Sequence, residues 1–112
     1  MNSGDVVMFP VPPAAGAAKL RPALVLSVLP GRYGDLLVCG ISTQLWQEVS
    51  GWDELIRPGD ADFSSSGLHR ASVIRLGFLY AAAPGQVRGL LGQIETARLE
   101  RLQTRLADHL RP

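Results

Sequence analysis

Three short stretches of this chain place polar groups at the ends of apolar runs, where chemistry can be held in position. Arg21 stands in KLRPALVLS, Ser42, Thr43 and Gln44 close CGISTQ, and Arg75 interrupts SVIRLGF. Pro22 pushes the residue before it into an extended conformation. It also suits the first residue of a strand, where its missing N–H is not needed. Arg21 is therefore expected directly in front of an apolar strand. If that strand and the LLVCGIST run pair antiparallel, the start of one lies beside the end of the other. The Arg21 guanidinium then falls next to the Ser42 and Thr43 hydroxyls. Such a grouping makes an oxyanion or phosphate site. The plainer alternative is a solvated arginine and two hydroxyls that only end a strand.

Other chemistries are poorly supported. His69 and His109 are far apart and belong to no spaced ligand cluster, so no metal site is expected. No G-x-S-x-G elbow accompanies a histidine, and no glycine loop precedes a helix to cradle a phosphate. The single cysteine, Cys39, lies inside LLVCGI, where a small buried residue packs well. It excludes an internal disulfide and fits a reducing compartment. Catalysis, if any, falls to side chains without a cofactor.

Elements that could position these residues follow from hydropathy. The chain has 112 residues, 46% of them hydrophobic, and is expected to form a single domain over residues 1–112. No apolar run is long enough to span a membrane, and MNSGDVVMFP lacks the basic start of a signal peptide. The net charge is only +1, yet the basic residues are ten arginines and one lysine, Lys19. Arginine matches phosphate with its planar fork, although a GC-rich genome would enrich it too.

GDVVMFPVPP predicts a short strand ended by Pro10, Pro12 and Pro13, followed by a small-residue loop, AAGAA, around Gly16. PALVLSVLP and LLVCGIST predict two buried strands joined by the GRYGD turn as a central hairpin. A long polar stretch over 44–70 holds one short strand near WDELI. ASVIRLGFLYAA and VRGLLGQI predict two more strands.

From Glu95 the apolar period lengthens to that of a helix. Leu99, Leu102, Leu106 and Leu110 line one face, with Arg98, Glu100, Arg101, Arg105 and Asp108 mostly on the others. Arg105 and Arg111 complement the helix dipole. The expected fold class is mainly β (α+β): a small curled antiparallel sheet or half-barrel with an amphipathic C-terminal helix over one opening. The apolar helix face could equally bury against a second copy.

Taken in order, GDVVMFPVP, KLRPALVLS, CGISTQ, SGLHRASVIRL and LLGQI resemble the MazF/PemK toxins of type II toxin–antitoxin systems over nearly the whole chain. The resemblance implies an SH3-like barrel shared with the CcdB toxins, a cytoplasmic homodimer and no cofactor. It implies metal-independent cleavage of single-stranded RNA, leaving 2′,3′-cyclic phosphate and 5′-hydroxyl ends, as an mRNA interferase would. A cognate antitoxin is the implied protein partner, and operator DNA is reached only through the antitoxin complex; no membrane is involved.

Arg21 matches the family's catalytic arginine, and Ser42 stands where many members carry threonine, with Thr43 adjacent. Arg75 matches an arginine used by some members, but their aspartate two residues later is Gly77 here. Lys19, Gln44, Trp46, Trp52 and Arg57 are the candidate substrate contacts, the tryptophans because unpaired bases stack on aromatic rings. Two other functions stay open at this stage. One is a gyrase-binding toxin like CcdB, which depends on a C-terminal tryptophan where this chain reads DHLRP. The other is a catalytically silent binder of nucleic acid or antitoxin.

Overall fold

The computed structural model describes residues 1–11 and 19–111. The AAGAA loop, with Gly16, and Pro12 and Pro13 lie outside the described residues. The strands are β1 (Asp5–Val11), β2 (Lys19–Val28), β3 (Leu36–Ser42), β4 (Glu54–Ile56), β5 (Ser72–Ala82) and β6 (Gly89–Gln93). They form one antiparallel sheet in the order β4-β5-β3-β2-β1-β6. The helices are a short α1 (Phe63–Ser66), which hydropathy did not reveal, and α2 (Thr96–Leu110). The expected mainly β fold, its central β2–β3 hairpin and its C-terminal helix are all present.

Side chains alternate along the strands, as a pleated sheet requires. Leu24, Leu26, Cys39, Ile41, Ile74 and Leu76 face one way and pack with Leu102 and Leu106 of α2. Ala23, Val25, Leu36 and Val38 face the other way, where the curled sheet closes on Val7, Phe9 and Ala82. Cys39 is fully buried, and burial, reinforced by nearby Asp53, pushes its thiol up to about 12. The cysteine therefore packs rather than reacts.

Two prolines stand inside strands rather than at their ends. Pro10 lies within β1 opposite Leu20, and Pro22 is the fourth residue of β2, opposite Met8. Arg21 thus belongs to β2, opposite Phe9, and does not precede the strand. The reason lies in one-sided pairing. β6 pairs with β1 only from Asp5 to Met8, and β3 pairs with β2 only from Ala23 onward. Beyond those limits β1 and β2 run on as a two-stranded ribbon, where a proline nitrogen can face away from any ladder.

Helix α2 also departs from expectation. Leu110 is 72% exposed, and the arginine expected on the polar side, Arg98, is buried. Its five N–H groups all find acceptors. Nε and Nη2 grip Asp62 at 2.8 and 3.0 Å, Nη1 reaches Glu54 and the Leu55 carbonyl at 3.0 and 2.8 Å, and Nη2 reaches Asp60 at 3.2 Å. A buried arginine persists only when so fully paired. Arg105, expected to serve the helix dipole, instead pairs with Glu54 at 2.6 Å, and Arg101 joins the same carboxylate at 2.9 Å. Gln103 Nε2 donates to the Leu26 carbonyl at 2.8 Å, where β2 slips its register against β3.

Burial pushes the Glu54 carboxyl up, but hydrogen bonds from Arg101 and Arg105 outweigh it and hold the group below its ordinary value. Asp62 behaves alike, with burial opposed by Arg98 and by the Glu95 amide. Both carboxyls thus sit lower in the folded chain than in the unfolded one. Their stabilisation is complete above the ordinary values of 4.5 and 3.8 and is lost as pH falls through the folded values. Thermal unfolding followed against pH should show this loss on the acid side. Arg98→Met, which takes the ion pair from buried Asp62 while Glu54 keeps Arg101 and Arg105, should lower stability at pH 7 by about 3–5 kcal/mol in urea denaturation and weaken the Asp62 part of the acid dependence.

Candidate functional site

At one end of the central strands the chain forms an open cleft of about 330 Å³. Arg21 and Pro22 of β2, Gly40, Ile41 and Ser42 of β3, Thr43, Gln44 and Gln47 beyond it, and Arg75, Phe78 and Tyr80 of β5 line it. The antiparallel ladder sets this arrangement. Ala23 pairs with Gly40, so the same register carried outward sets Arg21 opposite Ser42. Gly40 also pairs with Arg75, on the neighbouring strand. Arg21, Ser42 and Thr43, expected together from the sequence, share this one cleft, and the separate candidates Gln44 and Arg75 line it as well.

The remaining candidates are elsewhere. Lys19 is exposed at the outer end of β2, opposite Val11, and Arg57 is exposed near Asp60, which accepts its backbone N–H. Neither lines the cleft. Trp52 packs against the apolar core and lies 5.0 Å, ring to ring, from His109 of α2. It is partly buried and does not line the cleft. Trp46 is the opposite case: 79% exposed, with Nε1 donating to Gln44 Oε1 at 3.1 Å. It therefore stands beside the cleft, tied to one of its lining residues.

Six lining residues had no place among the candidate site residues: Pro22, Gly40, Ile41, Gln47, Phe78 and Tyr80. A signal for two of them was present. Glycine inside a strand marks a bulge or a close approach, and both happen here. Cys39 pairs with Leu79 and Gly40 with Arg75, so Leu76, Gly77 and Phe78 bulge out of the ladder. The Phe78 ring then folds over Gly40, where a Cβ would stand 3.3 Å from Phe78 Cδ1. The Arg75 guanidinium lies 5.5 Å from the centre of that ring, a cation–π contact.

The bulge leaves backbone groups to satisfy, and Asp53 supplies the acceptor. Its buried carboxylate accepts the Leu76 N–H through Oδ1 at 2.9 Å and the Val49 N–H through Oδ2 at 2.8 Å. One side chain thus joins the β5 wall of the cleft, with Arg75 and Phe78, to the segment after Gln47. The hydroxyl of Ser42 accepts the Gln44 N–H at 3.0 Å, which leaves its own proton available to a ligand.

Electrostatics set the cleft apart. Among the described residues, Arg98, Arg101, Arg105 and Arg111 have carboxylates within 4.0 Å, and all four lie in or directly after α2. Arg21 and Arg75 have none, nor do Arg32, Arg57, Arg70 and Arg88, but only Arg21 and Arg75 share the cleft, which no carboxylate or histidine lines among the described residues. Two guanidiniums without counter-ions beside two hydroxyls have the chemistry to hold a phosphate group.

Comparison with known proteins supplies an independent line. The family model described as PemK-like, MazF-like toxin of type II toxin–antitoxin system matches residues 2–110. A search of curated protein sequences gave no match. Among solved structures, the chain is similar to an endoribonuclease in complex with its cognate antitoxin from a mycobacterial species. The TM-score is 0.67 at 15% identity, over 98% of this chain and 94% of the other. At that identity the likeness speaks to the fold.

The Asp53 link has a measurable cost. Asp53→Ala strands the buried Leu76 amide and takes the acceptor from the half-buried Val49 amide, and should destabilise the chain by roughly 1–3 kcal/mol, chiefly through Leu76. Urea denaturation reads the loss, and hydrogen exchange at the Val49 and Leu76 amides should speed up more than in the core strands.

Proposed function

The chain belongs to the PemK-like, MazF-like toxins of type II toxin–antitoxin systems, and on that footing we propose that it is an endoribonuclease cleaving single-stranded RNA in the cleft. The observation that carries the reading is the meeting of Arg21, Arg75, Ser42 and Thr43 in one open groove free of carboxylates. RNA brings its own nucleophile, the 2′-hydroxyl. The protein must fix the scissile phosphate, offset charge that develops on it, and orient the attack.

Arg21 clamps the scissile phosphate and stabilises its transition state. Arg75 adds positive charge from the adjacent strand. Ser42, at the register position facing Arg21, donates its proton to a phosphate oxygen, with Thr43 next to it at the exposed rim. The two guanidiniums supply the charge stabilisation that makes the reaction independent of a metal. The 2′-hydroxyl gives up its proton as its oxygen bonds to phosphorus. The bond from phosphorus to the 5′-oxygen breaks and that oxygen takes up a proton, both protons being exchanged with solvent water. The products are a 2′,3′-cyclic phosphate and a 5′-hydroxyl. Gln44 and the exposed Trp46 are placed to contact the neighbouring nucleotide, Trp46 by stacking.

A protein antitoxin is the partner this reading requires. A flexible acidic segment with apolar residues fits the cleft, where guanidiniums and the exposed Phe78 lie together. We also place the toxin in the cytoplasm as a homodimer. Supporting observations are the single buried Cys39 and the exposed Leu90 and Leu91 on edge strand β6.

The test uses purified protein with single-stranded RNA in EDTA. Wild type should cut the RNA and leave a 2′-deoxy version intact. Arg21→Ala should lower the rate by about 10²–10³-fold. Ser42→Ala should cost more than Thr43→Val. Intact RNA at high wild-type concentration would overturn the reading.

A further inference from the structure

Among the described residues only two buried side-chain polar atoms lack a hydrogen-bond partner, Gln47 Oε1 and the Tyr80 hydroxyl. Both residues line the same cleft. Buried polar groups are almost always satisfied, because leaving one unpaired costs free energy. Two exceptions falling together beside Arg21 and Ser42 point to a ligand that completes them.

From this we infer that Gln47 and Tyr80 form a base-reading subsite, in which an unpaired nucleobase donates an N–H to Gln47 Oε1 and accepts the Tyr80 O–H. The inference rests on the ribonuclease reading above and adds the residues that choose the sequence to be cut. The neighbouring groups suit a base. Phe78, 41% exposed, meets the Tyr80 ring edge-on at 5.7 Å, and Phe9 backs that ring at 5.2 Å. The tyrosine is thereby held on an aromatic row that runs from β1 to the cleft. Burial, with a smaller contribution from Cys39, pushes its phenol up to about 12, so at neutral pH it is a donor. A site whose buried polar groups await partners discriminates strongly, since a wrong base leaves them unpaired.

The roles can be separated from packing, because packing predicts the opposite sign. Tyr80→Phe removes a hydroxyl with no partner in the chain, so its melting temperature should equal or exceed that of wild type. On a randomised single-stranded RNA pool the same variant should lose about 10-fold in kcat/KM at the preferred sites. Its base preference at one position should flatten. Gln47→Met, similar in shape and without the acceptor, should flatten the same position. RNA whose preferred base is replaced by an analogue lacking the N–H donor should be cut about 10-fold more slowly by wild type and no more slowly by Gln47→Met.

Wild-type cleavage with unaltered rate and preference in both variants overturns this inference and leaves the ribonuclease reading standing. So does a drop in the Tyr80→Phe melting temperature with preference intact, which would mark a packing role alone. Absence of wild-type cleavage overturns both.

Discussion

A carboxylate removed from water must be given donors, and at Asp53 those donors are two backbone amides from different parts of the chain. One belongs to Val49, which closes the segment following β3. The other belongs to Leu76, the first residue of the β5 bulge. Without that acceptor the bulge would bury an orphan amide, and β5 would gain by returning to a regular ladder. A regular ladder continued from the Cys39–Leu79 pair would set Phe78, and not Arg75, opposite Gly40. The shape of the cleft is thus a consequence of where one buried charge finds its hydrogen bonds.

The same economy of charge divides the arginines. Those of α2 are matched to carboxylates, with Glu54 serving three of them and Asp62 gripping Arg98 through two oxygens. They fasten the helix to β4 and to the segment before α1. Among the described residues, Arg21 and Arg75 on the sheet have no counter-ion, and neither do Arg32, Arg57, Arg70 and Arg88 in the loops, but only the first two share a groove. A net charge of +1 for the whole chain conceals this division. Two strands deliver two guanidiniums to one groove, where no carboxylate among the described residues lines the wall to offset them.

Much of this was legible in the residues. Strand positions followed from apolar alternation, and antiparallel pairing alone brought Arg21 near Ser42. What escaped had tertiary causes. Arg98 reads as a polar-face residue because helical periodicity counts hydropathy and cannot see three carboxylates arriving from residues 54–62. Trp52 reads as an exposed aromatic because its loop is polar, yet the core and His109 claim its ring. Phe78 and Tyr80 read as ordinary strand residues; only the register break at Gly77 turns that wall of the groove toward its present shape. Pro10 and Pro22 read as strand ends, and each does end a pairing, though with one neighbour rather than both.

That one-sided pairing has a mechanical consequence. From Phe9 to Val11 and from Lys19 to Arg21 the two strands hold only each other, with β6 and β3 already behind them. Paired ribbons twist more freely than strands flanked on both sides. Arg21 therefore rides on a torsion spring, while Ser42 and Arg75 are held by the ladder between β3 and β5. Whatever grips the far tip of that spring gains leverage over the spacing between the guanidinium and the hydroxyl opposite it.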